Sequence, residues 1–157
     1  RSPKKQAIMY QLAQNAQKRG DDRAVVSYFK QAYELETSNT EAAIYYASAL
    51  IIVGQSAEAD KILAPLIPSG KAADTRILSA YRTSGQLSRA VVVWEAKIAA
   101  APDDAQAYFT LAAIHYMNGN IPRAIAALED AKRAIPGIGA DADSVIAQIR
   151  NGTAVVE

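Results

Sequence analysis

Residues 105–136 read AQAYFTLAAIHYMNGNIPRAIAALEDAKRAIP, and this stretch decides the fold. Apolar residues recur in it every three or four positions on both sides of Gly119, which is the pattern of two amphipathic helices joined by a turn. Glycine tolerates a positive φ at such a turn, and Pro136 cannot continue the second helix. Small residues such as Ala112 and Ala124 allow the two backbones to approach closely. The stretch therefore predicts an antiparallel helix pair.

The same pattern occurs four times along the chain. Its register glycines are spaced by 34, 31 and 34 residues, and a large apolar residue stands nine positions after each of them. A helix pair of this kind buries its apolar face only against a neighbouring pair, so a period of about 34 residues predicts a stacked array. The predicted repeats cover residues 6–39, 40–70, 71–104 and 105–138 of a single domain over residues 1–157. The register glycines are Gly20, Gly54, Gly85 and Gly119.

Capping residues and helix breakers predict where each helix begins and ends. Ser2 and Asn120 are candidate N-caps, and Pro122 suits the first turn of a helix. Pro65 lies inside the fourth helix, which we therefore expect to be short or bent. The pairs are expected at residues 3–19 and 22–35, 40–53 and 56–67, 72–84 and 87–101, and 104–118 and 121–135, followed by a capping helix at about 141–151.

Composition excludes several classes of function. The chain has 17 basic and 16 acidic residues and a net charge of +1, so neither a nucleic acid nor an anionic membrane surface is expected as the partner. The absence of cysteine excludes disulfides, thiolate zinc sites and cysteine nucleophiles. No apolar run approaches the roughly 18 residues that span a bilayer, so this chain is not expected to insert into a membrane.

With these features, residues 105–136 resemble a tetratricopeptide repeat (TPR), and the likeness extends from about residue 6 to residue 136. It is looser in the second and third repeats, where Leu78 and Lys97 replace small residues. The resemblance implies an all-α fold: a right-handed superhelical stack of four TPR-type helix pairs plus a C-terminal capping helix. It also implies a concave groove lined by the first helix of each pair, which binds a protein or peptide without a cofactor.

A second resemblance concerns the layout of the chain. Its opening at residues 2–6, its degenerate third repeat and its ending at residues 149–152 are similar to the soluble tail of bacterial O-antigen ligase and polymerase-like membrane proteins. A chain that begins at Arg1 rather than Met is also expected to be a piece of a longer protein. The alternative function is therefore an extracytoplasmic accessory domain that positions partners for a membrane glycan enzyme. Self-association through the apolar ends of the stack is a third hypothesis.

The groove predicted from the TPR resemblance has two apolar-aromatic flanks and a basic centre. Such a surface suits an extended or helical segment that carries apolar anchors and a carboxylate near its middle, which Arg76 or Arg82 could hold in fork geometry. The predicted groove residues are Tyr10, Gln14 and Gln17 in the first repeat; Ile44, Tyr45, Ser48, Ile51 and Ile52 in the second; Thr75, Arg76, Ser79 and Arg82 in the third; and Phe109, Ala113 and Tyr116 in the fourth.

Other residues that resemble catalytic or metal-binding groups have structural interpretations. His115 is the only histidine, lacks a partner base or ligand set, and is expected to be packed, as is Trp94. The pairs Asp21–Asp22 and Asp103–Asp104 each precede a helix, where carboxylates cap free N–H groups. We therefore predict neither catalytic nor metal-binding nor cofactor-binding residues, and a fragment that is not itself an enzyme.

Overall fold

The computed structural model describes residues 3–155, which form nine α-helices and one 3₁₀ turn, with no strand in that range. The all-α fold of successive helix pairs is therefore confirmed. The helices are α1 (Pro3–Lys18), α2 (Asp22–Leu35), α3 (Thr40–Ile52), α4 (Ser56–Leu63), α5 (Thr75–Thr83), α6 (Ala90–Ala100, preceded by the 3₁₀ turn Leu87–Arg89), α7 (Ala105–Met117), α8 (Ile121–Ala134) and α9 (Gly139–Asn151).

Most helix ends agree with the sequence within one or two residues, because local chemistry fixes them. The Asp21 carboxylate accepts the Ala24 N–H at 3.0 Å, and the Asn120 side chain accepts the Arg123 N–H at 3.3 Å. The four register glycines all have φ between +70° and +82°, a conformation that glycine adopts without steric cost. The predicted N-cap Ser2 lies outside the described residues.

Three helix boundaries differ from the sequence prediction by three residues or more. One is the start of α6, at Ala90 rather than at residue 87, because residues 87–89 form the 3₁₀ turn. Helix α4 ends at Leu63 rather than at residue 67, because Pro65 has no backbone N–H to continue the helical hydrogen bonds, although Ala64 before it keeps helical dihedral angles. Helix α5 begins at Thr75 rather than at residue 72 because Asp74 caps it, accepting the Arg76 N–H at 2.8 Å. The intervening turn includes Gly70, where an added Cβ would lie 2.8 Å from Lys97 Cδ.

The described chain divides into two compact units. Unit 1 comprises residues 3–66 and 74–85, and unit 2 comprises residues 67–73 and 86–155. In unit 1, α1 packs against α2, α2 against α3, and α3 against both α4 and α5. In unit 2, α7 packs against α6 and α8, and α8 packs against α9. The sequence treated residues 1–157 as one domain, and that assignment stays a prediction.

The repeat positions read from the sequence form the cores of both units. The residues five positions after each register glycine and those nine positions after it are all buried. The former let the helices approach and the latter fill the space between them. These core residues are Val25, Ala59, Ala90 and Ala124, and Phe29, Leu63, Trp94 and Leu128.

The interpretation of His115 as a packed residue is confirmed. Its side chain is only 6% exposed. Burial, followed by the nearby positive charge of Arg123, lowers the pKa of His115, while Glu95 opposes this shift. Within residues 3–155 no cluster of three or more His, Asp or Glu side chains could hold a metal ion. No helix in the same range is long and apolar enough to cross a membrane.

The buried histidine makes the stability of the fold depend on pH. Because folding lowers the pKa of His115, the unfolded chain takes up this proton first as the pH falls. The stabilisation by neutral His115 is therefore complete above the ordinary pKa of 6.5 and declines below it. We expect His115→Phe to remove this loss. Between pH 7.5 and pH 5.5, the melting temperature of the variant should therefore fall less than that of the wild type. A gap that stays constant over this range, measured by circular dichroism, would contradict the assignment.

Candidate binding groove

Helices α1, α3 and α5 of unit 1 line an open groove of about 580 Å³. The first helices of the first three predicted pairs therefore share a surface within this unit. The groove is lined by Tyr10, Gln14, Gln17, Phe29, Tyr45, Ser48, Ile52, Thr75, Arg76, Ser79 and Ala80.

Helical spacing explains how the polar wall residues come to face one space. Gln14 and Gln17 lie one turn apart on α1, and Thr75 and Ser79 lie one turn apart on α5. Amides and hydroxyls can both donate and accept hydrogen bonds. The Ser48 hydroxyl on α3 donates to the Ile44 carbonyl at 2.7 Å and keeps its acceptor capacity.

Three aromatic rings form the floor. The rings of Phe29 and Tyr45 are stacked, with centroids 5.0 Å apart and 13° between the planes. The ring of Tyr10 lies 5.3 Å from that of Tyr45 in a tilted arrangement. The hydroxyl of Tyr10 is buried without a hydrogen-bond partner in the described chain, and burial, with the nearby Glu41 carboxylate, raises the pKa of Tyr10.

Arg76 is held by two carboxylates. Its Nη1 and Nη2 donate to Glu41 at 2.8 Å each, and its Nε and Nη2 donate to Asp74 at 2.9 and 2.8 Å. Its guanidinium also lies 4.6 Å from the centre of the Tyr45 ring. Glu41 is in the first turn of α3 and Arg76 in the first turn of α5, so the cluster joins the same ends of two groove helices.

The cluster determines the charge of the groove. Hydrogen bonds from Arg76 lower the pKa of both Glu41 and Asp74, and these carboxylates in turn raise the pKa of Arg76. With one positive and two negative groups, the cluster carries a net charge of −1. The sequence had offered Arg76 or Arg82 as the residue that holds a partner's carboxylate. For Arg76, the structure shows instead that its charge is compensated inside the protein.

The structure gathers nine of the predicted residues in this groove and places the others elsewhere. Ile44 and Ile51 are 1% and 0% exposed, and their assignment to the groove is corrected here: on α3, which packs against three other helices, they face the core. Arg82 is exposed and does not line the cavity. Sequence reasoning missed Phe29, which was read only as a core-filling residue, although its repeat position brings it under Tyr45.

The fourth-repeat residues line a separate pocket in unit 2. Phe109, Ala113 and Tyr116 of α7 lie beside Val145 and Ile149 of α9, around a pocket of about 180 Å³. Ala154 and Val155 lie at the same pocket. None of the described residues that line it carries a charge.

Comparisons with known proteins identify the type of fold. A tetratricopeptide repeat family model matches residues 81–149. A double mutant of MamA RS-1 is 23% identical, with coverage of 95% of this chain and 81% of that chain and a TM-score of 0.55. MamA from Desulfovibrio magneticus RS-1 is 22% identical (95% and 93% covered, TM-score 0.53). TTC0263, a thermophilic TPR protein of Thermus thermophilus, is 18% identical (94% and 82% covered, TM-score 0.53). Comparison with curated proteins gave no significant match.

The Arg76 cluster should stabilise unit 1 through its planar geometry. Lysine keeps the charge but cannot hold two carboxylates in fork geometry, so Arg76→Lys is expected to cost about 1 kcal/mol, or roughly 2–4 °C in melting temperature. Arg133→Lys is the matched control, because among the described residues Arg133 pairs only with Asp130 of its own exposed helix turn and contributes little.

The same comparison has a defined pH dependence. Because folding lowers the pKa of Glu41 and Asp74, their stabilisation is complete above the ordinary values of 4.5 and 3.8 and is lost as the pH falls through the lowered ones. The gap between wild type and Arg76→Lys should therefore close in strong acid. Equal melting temperatures for wild type and Arg76→Lys at pH 7 would show that the cluster is not a stabilising contact.

Proposed function

Because this chain has the tetratricopeptide repeat fold, we propose that it is a protein-binding scaffold whose unit 1 groove binds an extended segment of another protein. The observation that carries the proposal is the combination of two hydrogen-bonding walls with an apolar floor. Gln14 and Gln17 on one side and Thr75 and Ser79 on the other suit the alternating N–H and C=O groups of a peptide backbone.

The aromatic floor favours a peptide over a carbohydrate. A sugar ring is usually held by stacking on an exposed aromatic face. The Tyr45 ring is stacked on Phe29 and also lies against the Arg76 guanidinium, and the two cannot occupy the same face. Tyr45 therefore offers a ligand its ring edge, whereas Ile52, which is 43% exposed, offers apolar contact. A peptide side chain can use both.

The alternative functions rest on the sequence. The role as an accessory tail of an O-antigen ligase-like enzyme, and self-association through the ends of the stack, both stay predictions. In each of them the chain acts by binding rather than by catalysis. The groove experiment bears on the accessory-tail role, whereas self-association through the ends of the stack requires a separate measurement of the mass of the chain in solution.

The proposal is tested by selecting random 12-residue peptides displayed on phage against the immobilised chain. Selected peptides are synthesised with a fluorescent label, and their dissociation constants are measured by anisotropy. We expect Ser79→Tyr to fill the groove and weaken binding at least about tenfold, equivalent to about 1.4 kcal/mol. The matched control Ala126→Tyr adds the same side chain to an exposed position of α8 and should leave binding unchanged.

Two outcomes would overturn this function. One is a selection that returns no peptide with a dissociation constant below about 100 μM, since the groove would then lack useful affinity for peptides. The other is equal binding by wild type and Ser79→Tyr when circular dichroism shows the variant to be folded. That result would place the peptide on another surface.

A further inference from the structure

The two arginines of α5 differ in what surrounds them. Arg76 uses four N–H groups on Glu41 and Asp74 and packs against Tyr45. Arg82 is exposed and has no ion pair or side-chain hydrogen bond within the described chain. Within the described residues, the donors of Arg82 are therefore all available to an external acceptor, whereas most of those of Arg76 are already used.

Arg82 lies on the same face of α5 as the groove wall. It follows Thr75 by seven residues and Ser79 by three, and both spacings return to one side of a helix. Six residues separate it from Arg76, which corresponds to about 9 Å along the helix axis. Arg82 therefore lies at the end of the α5 wall opposite to the Glu41–Arg76 connection.

The charges along the groove are thus unevenly distributed. At one end, the cluster of Arg76 with Glu41 and Asp74 has a net charge of −1. Towards the other end are Arg82 and, in the last turn of α1, the exposed Lys18. None of the described residues that line the cavity is acidic. A bound segment therefore meets a compensated arginine at one end and an available one at the other.

Arg82 also has a purely structural explanation. A cation in the last turn of a helix interacts favourably with the helix dipole, and α5 ends at Thr83. This role predicts an effect of Arg82 on stability but none on which peptide binds. Dependence of binding on the charge of the ligand separates the two explanations.

Building on the proposed groove function, we propose that Arg82 determines specificity by pairing with the side-chain carboxylate of an internal Asp or Glu in the bound segment. An extended chain advances about 3.3 Å per residue, so this acidic residue lies about three positions from the ligand residue above the Arg76–Tyr45 stack. That second residue is not acidic, because the cluster of Arg76 with Glu41 and Asp74 already has a net charge of −1. The recognised partner is a segment in which an acidic residue follows or precedes a non-acidic one at this distance.

The test uses the selected peptides with amidated C-termini, so that the only carboxylates are on side chains. We expect an acidic residue to recur in them, and Arg82→Glu to weaken their binding at least about tenfold. Replacing the acidic residue of the peptide by Lys should restore binding to Arg82→Glu and abolish binding to the wild type. Arg82→Gln is the milder variant, and Arg150→Glu makes the same charge change at an exposed position of α9.

Ionic strength gives an independent measurement. Binding of the acidic peptide to the wild type should weaken between 50 and 500 mM NaCl, since an exposed ion pair is screened. Binding to Arg82→Gln should change less.

The outcomes separate this inference from the proposed function. If Ser79→Tyr abolishes binding whereas Arg82→Glu, Arg82→Gln and wild type bind the acidic peptide equally, the groove function stands and the role of Arg82 is refuted. If Ser79→Tyr has no effect, or no peptide is selected, the groove function fails and this inference fails with it. Loss of binding in Arg82→Glu without rescue by the Lys peptide, when Arg82→Gln binds normally, also overturns the pairing.

Discussion

Close packing of helices at small residues is the constraint on which the rest of the structure depends. Ala59, Ala90 and Ala124, each five residues after its register glycine, are completely buried. Protein interiors are packed so densely that one added methylene in such a place would force neighbouring helices apart. The large residues nine positions after each glycine then fill the remaining space. Each repeat therefore combines small residues at the helix contacts with large residues that fill the space between them. This packing determines which face of each helix remains available to bind a partner.

The Arg76 cluster gives the available face of unit 1 its character. A guanidinium that holds two carboxylates and packs against a ring has little left to offer a ligand, although its residue type suggests the opposite. Its role is to join the first turns of α3 and α5 and to mask charge where the groove is lined by aromatic residues. Partly exposed ion pairs contribute modestly to stability, so the main consequence of the cluster is geometry.

A groove of this composition separates affinity from specificity. Its walls offer amides and hydroxyls that suit almost any peptide backbone, and its apolar contacts come from ring edges and Ile52. Such features favour the binding of an extended chain whatever its sequence. Exposed charges at the rim add little affinity but discriminate strongly between partners through attraction and repulsion. Under the proposed function, the available cation on α5 is the place in unit 1 that distinguishes one partner from another.

The sequence alone determined the number and order of the helices, because their signals are local. Periodicity, caps such as Asp21 and Asn120, and glycines at turns act within a few residues of the backbone they control. The sequence also selected Tyr10, Gln14 and Tyr45 for the groove, since helical spacing and a family resemblance suffice to place one face of a helix. The sequence also predicted that His115 and Trp94 are packed.

Only the tertiary structure decided what those side chains face. Ile44 and Ile51 are apolar residues on a groove helix, but several helices pack around α3 and bury them. A local sequence pattern does not show how many helices will pack around a given helix. Arg76 and Glu41 are 35 residues apart, so their pairing depends on how α5 lies against α3. The charge of the groove is therefore set by contacts between helices, whereas the helices themselves are set by local sequence signals.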